Sequence, residues 1–249
     1  MKDISGTTAL VTGASRGLGR GIAAALSAAG ADVIAVARDG GRLAELPGHL
    51  GGSITPVSAD VTDPVVAGQL IDAHRPGILV LNAGASPLAR PLQHQTWQTF
   101  SRNWEVDVQH VFHWTREALL VPLNPGSVVV AMSSGAALRG SPLSGGYAGA
   151  KATVRFIASY AADESARAGL GIRFIAVLPQ LTPATDLGAV AVAAYASRAG
   201  VDTAAYVRQF EPVLTPEQAG RSVLELVTSD SPDPGAFLLT SRGLTPVTD

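Results

Sequence analysis

Thr12-Gly13-Ala14-Ser15-Arg16-Gly17-Leu18-Gly19 is the stretch on which the fold turns. A short apolar run, Ala9-Leu10-Val11, leads into it, and an Ala-rich segment of helical character, from about Gly17 to Ala29, leads out. The glycines are spaced GxxxGxG, whereas the common dinucleotide fingerprint is GxGxxG, but the physics is shared. Glycine lets the backbone turn sharply and come close to a pyrophosphate, which then rests on the N-terminus of the next helix. Gly13, Ser15, Arg16, Gly17, Leu18 and Gly19 are therefore the candidate phosphate-binding residues. A tight strand-to-helix turn in any α/β protein is the competing reading. The position of the turn, after the first strand and opening a helix, is where a phosphate loop has to stand.

Outward from this turn the chain alternates apolar runs with amphipathic stretches. Val33–Val36, Ser53–Ser58, Ile78–Leu81, Ser127–Met132, Ile172–Val177 and Ala236–Leu239 read as strands two to seven. Runs that are apolar at nearly every position suit strands covered on both faces, hence a parallel sheet. Pro64–Ala73, Thr96–Leu120, Tyr147–Ala168 and Pro216–Thr228 suit the crossover helices. The expected class is α/β: one doubly wound (Rossmann) domain over residues 1–249, with a seven-stranded parallel sheet ordered 3-2-1-4-5-6-7 and helices on both faces. Thr182–Pro212 is a long Ala-rich insertion placed to cover the strand ends as a substrate-binding lid.

Composition narrows the function. The 249 residues carry a formal net charge of -2, which argues against a nucleic-acid groove or a polybasic membrane patch. There is no cysteine, so a disulfide framework, a Cys-ligated zinc site and a thiol nucleophile are excluded. No basic start leads into a long apolar run, so neither a signal peptide nor a spanning helix is expected and the default compartment is the cytoplasm. His110 and His113 stand three apart, a spacing that permits metal binding, but nothing nearby in sequence completes a site and none is expected. They read as core, surface or subunit-contact residues. Trp97, Trp104 and Trp114 read as packing residues, and Tyr195 and Tyr206 as lid residues that either face solvent or line a pocket.

The end of the second strand, Val36-Ala37-Arg38-Asp39, reports on the cofactor. An acid there would bond the adenosine ribose and select NAD. Ala37 takes that place, Arg38 follows, and Arg16 projects from the phosphate turn toward the same region. Two guanidinium forks suit a 2′-phosphate, which favours NADP over NAD. The competing reading leaves Arg38 in solvent and puts Asp39 on the ribose.

The glycine-rich turn, Asn82-Ala83-Gly84 after strand four, and Ser134 followed by Tyr147 and Lys151 together resemble the short-chain dehydrogenase/reductase family, in order from roughly Thr7 to Pro179. The resemblance implies that Asp60 and Val61 contact the adenine. Asn82, Ala83 and Gly84 would support the central strand and pass near the adenosine ribose. The backbone past Pro179 would meet the nicotinamide carboxamide, assisted by Thr182 or Thr185. It also implies a homotetramer or homodimer packed through the two long helices.

The catalytic logic can be argued from the residues. Tyr147 and Lys151 are four apart, so on a helix they share one face. A phenol is a poor base near neutral pH, and a neighbouring ammonium favours its phenolate. Such a pair can exchange a proton with a carbonyl or alcohol oxygen, and lysine donors can also reach the nicotinamide ribose. Only Lys2 and Lys151 among 18 basic residues are lysine, which singles out a compact ammonium at this position. Ser134 at the end of strand five can hold the substrate oxygen. Ser133 competes, and the family pattern, which puts the serine second in the pair, selects Ser134.

Three positions depart from the family. Asp107 stands where an Asn usually completes a proton relay, and its carboxylate is a candidate partner for Lys151. Asn103, one turn earlier, is a candidate substitute. Pro179-Gln180 replaces Pro-Gly, and Ser241-Arg242-Gly243 replaces a C-terminal Gly-Gly. The expected function is NADP-dependent hydride transfer between nicotinamide and a small-molecule carbonyl or secondary alcohol. The substrate could be a 3-oxoacyl thioester, a polyketide-like ketone, a steroid or a sugar, held by Arg139–Gly146 and the lid. The rival reading is a cofactor-binding sensor or scaffold without turnover, which Asp107 and Gln180 keep open.

Overall fold

A computed structural model of the chain describes residues 2–50, 52–229 and 235–247. The ends of the expected 1–249 domain, Met1 and residues 248–249, lie outside the described residues. The order of elements is β1 (Thr8–Thr12), α1 (Gly17–Ala28), β2 (Asp32–Ala37), α2 (Gly40–Ala44), α3 (Leu46–Leu50), β3 (Ile54–Ser58), α4 (Pro64–His74) and β4 (Ile78–Leu81). Then come α5 (Trp97–Asn103), a π-helical turn over Trp104–Val108, α6 (Gln109–Leu120), β5 (Val128–Met132), α7 (Ala136–Arg139), α8 (Gly145–Ala168) and β6 (Arg173–Pro179). The chain continues through α9 (Asp186–Ala199), α10 (Thr203–Val207), a 3-10 turn at Arg208–Phe210, α11 (Pro216–Thr228), β7 (Ala236–Thr240) and β8 (Gly243–Pro246).

The strands form one sheet in the order β3-β2-β1-β4-β5-β6-β7-β8. Strands one to seven pair in parallel, as the apolar runs predict. The sequence reading stopped at seven strands. An eighth, β8, pairs antiparallel with β7, from Phe237 opposite Pro246 to Thr240 opposite Gly243. Gly-Leu-Thr-Pro is too short and too polar to announce itself by periodicity. It is an edge strand joined by a tight turn, and only its partner defines it.

Alternation along the central strands sends successive side chains to opposite layers. Ala9 and Val11 pack with Ile22 and Leu26 of α1 and Val223 and Val227 of α11. Leu10, Leu79 and Leu81 pack on the other face with Ile71 of α4, Trp114 of α6 and Val154 of α8. The C-terminal ends of β1, β4, β5 and β6 are thus held rigidly between two apolar layers. The crevice at the switch in strand order between β1 and β4 is where such sheets bind ligands.

Candidate active site

The glycine-rich turn connects β1 to α1. Gly13 sits at φ 66°, in the left-handed region that favours glycine. A Cβ on Gly19 would lie 2.2 Å from the Gly13 carbonyl oxygen and 2.4 Å from Asn82 Nδ2. Gly19 therefore serves close packing of the helix against the turn. Asn82 stitches the next strand end to the same turn, with Nδ2 donating to the carbonyls of Thr12 (3.1 Å) and Gly13 (3.2 Å). Thr12 Oγ1 accepts from the backbone N–H groups of Asn82 and Ala83. The N-terminus of α1 has no side-chain cap and no acidic residue in its first turn. Its unpaired N–H groups carry the partial positive charge that an anionic group needs.

One cavity of about 970 Å³ gathers nearly all the sequence-predicted residues. Gly13, Ser15, Arg16, Gly17, Leu18, Arg38, Val61, Asn82, Ala83 and Gly84 line it, together with Asp107, Ser134, Tyr147, Lys151, Pro179 and Thr182. Gly19 and Asp60 do not. Asp60 Oδ1 instead accepts from the N–H (3.0 Å) and hydroxyl (2.8 Å) of Thr62, and these bonds hold its carboxyl below the usual range. The cavity's volume is at the upper end of what small-molecule and cofactor pockets enclose.

The catalytic candidates converge at the β5–α8 side. Lys151 Nζ lies 5.8 Å from the centre of the Tyr147 ring. It donates to the Met132 carbonyl at 2.9 Å and faces Asp107 Oδ2 at 3.3 Å. The pair is buried, with side-chain exposures of 7% for Lys151 and 1% for Asp107. Burial alone would push the Lys151 ammonium down. The Asp107 carboxylate and then Tyr147 outweigh it, and Lys151 stands above its ordinary value.

The π-helical turn at Trp104–Val108 presents Asp107 to this site. Asp107 Oδ1 also accepts from Ala85 N–H at 2.7 Å. Asn103, considered as a substitute for the relay, donates instead to the Ala85 carbonyl (2.8 Å) and stands 3.5 Å from Asp107 Oδ2. It braces the carboxylate and makes no bond to Lys151.

The two serines part as strand alternation requires. Ser133 Oγ donates to the Lys151 backbone carbonyl at 2.7 Å, tying β5 to α8. Ser134 Oγ accepts from Ala136 N–H at 3.2 Å, at the foot of the β5–α7 turn. Past β6 the replacement of glycine by Gln180 leaves the backbone in register. Gln180 N–H donates to the Leu239 carbonyl (2.8 Å), and the Pro179 carbonyl accepts from Gly135 (2.9 Å). Thr182 Oγ1 donates to the Leu214 carbonyl, and Thr185 caps α9 through Gly188 N–H.

The cationic end differs from the expectation in detail. Arg16 is turned to Asp186 in the first turn of α9, at 3.0 Å, with both side chains exposed. Asp39 caps α2 by accepting from Arg42 N–H (3.1 Å), and it pairs with Arg42 Nε at 3.3 Å. The Arg38 guanidinium has no hydrogen bond or ion pair among the described residues. Sequence reasoning passed over Arg42, which lines the main cavity and a smaller one of about 190 Å³ beside it.

His110 is fully buried against the Ala83 carbonyl (3.2 Å) and edge-on to Trp114. Its Nε2 has no hydrogen-bond partner. Burial, and then the nearby Lys151 charge, push its imidazole down to about 3. Among the described residues no group of three His, Asp or Glu is placed to hold a metal ion, and no helix is long and apolar enough to cross a membrane.

The family model for short chain dehydrogenases matches residues 7–196. The chain is 34% identical over 130 residues to the NADPH carbonyl reductase 2 of Sus scrofa, covering 51% of this chain and 53% of the relative. It is 33% identical over 129 residues to the L-xylulose reductase of Homo sapiens, covering 51% and 52%. The matched stretch thus spans about half the length of each of these two relatives. Among solved structures, the 3-ketoacyl-(acyl-carrier-protein) reductase of Brucella melitensis, complexed with NADH, superposes with a TM-score of 0.78 at 23% identity, over 96% of this chain and 98% of that one.

Proposed function

The chain belongs to the short chain dehydrogenase family, and from that premise we propose that it is an NADP(H)-dependent oxidoreductase acting on a carbonyl or secondary-alcohol substrate, with Tyr147 as general acid and base. The observation that carries this reading is the Tyr147–Lys151–Asp107 cluster, which lines the same cavity as the glycine-rich turn. The bound cofactor supplies or accepts the hydride. The rest of the work falls to this chain's side chains.

Lys151 has three N–H donors. Met132 and Asp107 engage two and hold the ammonium in place. One donor is left for a ribose hydroxyl, and the positive charge beside Tyr147 eases proton exchange at the phenol oxygen. Ser134 orients the substrate oxygen toward that phenol. Cellular NADP is mostly reduced, so ketone reduction is the proposed direction.

The pig relative carries NADPH in its name and the Brucella structure holds NADH, so the cofactor choice rests on this chain's residues. Ala37 brings no acid to the ribose, Asp39 is engaged as a helix cap, and Arg38 is uncommitted at the cavity. These favour a 2′-phosphate. Arg16 would join Arg38 by leaving Asp186, an exposed pair of small energetic weight. We further propose that the 182–212 segment is a lid within a single domain. Exposed Phe112 and Leu120 on α6 and Phe156 and Tyr160 on α8 support homodimer or homotetramer packing through these helices.

Following NADPH consumption with a ketone panel, for wild type and Tyr147→Phe, tests the reading. Cofactor-dependent turnover that falls at least about a hundredfold in the variant supports it. Equal rates in the two proteins refute the role given to Tyr147.

A further inference from the structure

One wall of the cavity is formed by side chains that the proposed chemistry does not use. Tyr195 of α9 and Tyr206 of α10 stack with centroids 6.3 Å apart and planes 6° from parallel. Phe210 leans on Tyr206 at 5.4 Å. All three rings are half-buried and line the cavity, as do Leu138, Leu187 and Ala191. Burial, and then the neighbouring Tyr195, push the Tyr206 phenol up, which favours its uncharged form.

One of the two hydroxyls of the wall, that of Tyr195, is already engaged. The Tyr195 hydroxyl is hydrogen-bonded to Ser141 Oγ on the loop before α8. Ser141 Oγ is also 2.6 Å from Ser144 Oγ and accepts from Ser144 N–H at 3.0 Å. Ser86, Gln180 and the exposed Arg139 are further polar side chains on the cavity. A polyhydroxylated sugar placed against the rings of Tyr195, Tyr206 and Phe210 meets only the Tyr206 hydroxyl as an uncommitted polar group on that wall, so most of its hydroxyls on that side lose water without gaining a partner. A flat apolar ring system gains burial and offset or edge contact with the three rings.

We infer that the substrate is a carbonyl compound whose body is a planar, uncharged aromatic or fused-ring system, seated on the Tyr195–Tyr206–Phe210 wall with its carbonyl at Ser134 and Tyr147. This rests on the oxidoreductase reading above and names the substrate class of the same site. The reaction balances as a reduction. The carbonyl carbon takes a hydride from NADPH, the oxygen takes a proton from Tyr147, and a secondary alcohol and NADP+ result.

The test compares kcat/KM with NADPH for three probes: α-tetralone, the open-chain ketose L-xylulose and an acetoacetyl thioester. In parallel, binding of α-tetralone to the NADP+-loaded protein is measured by tyrosine and tryptophan fluorescence quenching. The expected result is α-tetralone ahead of both other probes by at least about tenfold, the scale of one or two aromatic contacts. Tyr206→Leu and Phe210→Leu should each reduce that preference severalfold, chiefly through KM. Preference for L-xylulose or the thioester overturns the inference and leaves the oxidoreductase reading standing. Saturable α-tetralone binding, weakened by the two variants, without turnover of any probe keeps the ring site and overturns the oxidoreductase reading. Neither turnover nor binding of α-tetralone overturns the inference outright.

Discussion

Replacing Asp107 by Asn removes one negative charge from a site that is otherwise sterically unchanged. In the folded chain the carboxylate lies 3.3 Å from Lys151 Nζ. At an effective dielectric of about 20, that separation corresponds to about 5 kcal/mol of attraction. The amide cannot reproduce the arrangement. Its single oxygen can accept from Ala85 N–H, as Asp107 Oδ1 does at 2.7 Å, or it can face the ammonium. If it keeps Ala85, an NH2 group points at Lys151. Even if water and the amide dipole recover three quarters of the interaction, about 1.3 kcal/mol is lost, or about one pH unit of titration. Lys151 stands above its ordinary value because the carboxylate and Tyr147 outweigh burial. Without the carboxylate, burial gains the upper hand.

Lys151 is the group that the carboxylate holds protonated, so the observable is the basic limb of kcat/KM against pH. That limb should move to lower pH by at least about one unit in Asp107→Asn. The linkage to stability has a definite sign. Lys151 holds its proton more tightly folded than unfolded, so its contribution is complete below the ordinary value of 10.5 and is lost only as pH rises through the folded value. At pH 7 the variant should therefore be the less stable protein, by as much as about 3–5 kcal/mol when a buried charge is left unpaired. Denaturant midpoints measure this. Superimposable pH profiles together with unchanged midpoints would refute the coupling of Asp107 to Lys151.

Tyr147→Phe should bind NADPH as wild type does and lose at least about a hundredfold in turnover, which single-turnover kinetics and cofactor titration separate. Arg38→Ala should weaken NADPH by about ten- to a hundredfold and spare NADH, the weight of one charged hydrogen bond. Ala37→Asp should move preference toward NADH. Paired titrations check both, and equal losses for the two cofactors would contradict the phosphate assignment. Ser134→Ala should lower kcat with little change in stability. Ser133→Ala should cost about 1 kcal/mol of stability, because its bond is to the Lys151 backbone. His110 predicts acid sensitivity. The unfolded chain binds a proton near pH 6.5 that the folded chain refuses until about 3, so stability falls as pH drops through that window. His110→Phe should remove about 1.4 kcal/mol per pH unit from that slope in denaturant titrations. An unchanged slope would place the acid sensitivity elsewhere.

What could be read from the sequence follows from which residues act through local geometry. The seven parallel strands were legible because Leu10, Leu79 and Val129 are buried on one face and Val11, Val80 and Val130 on the other, leaving unbroken apolar runs. Tyr147 and Lys151 were legible because a spacing of four on a helix fixes their shared face. The partnership of Asp107 with Lys151 could be raised but not decided, because it depends on how the chain winds at Trp104–Val108. A regular α-helical pattern does not forecast a π-turn, and its extra residue changes which side chains face α8. The aromatic wall was least legible. Tyr195, Tyr206 and Phe210 sit on three separate elements, two of them of five residues or fewer, and the hydroxyl that anchors Tyr195 comes from Ser141, 54 residues earlier. Their meeting is set by how the 182–212 segment folds back over the β5–α8 loop, a long-range contact that no local pattern encodes. The division has a chemical sense. Proton transfer needs groups held on rigid, adjacent elements, whereas selecting a substrate needs only a surface of the right shape and polarity, which loops and short helices supply.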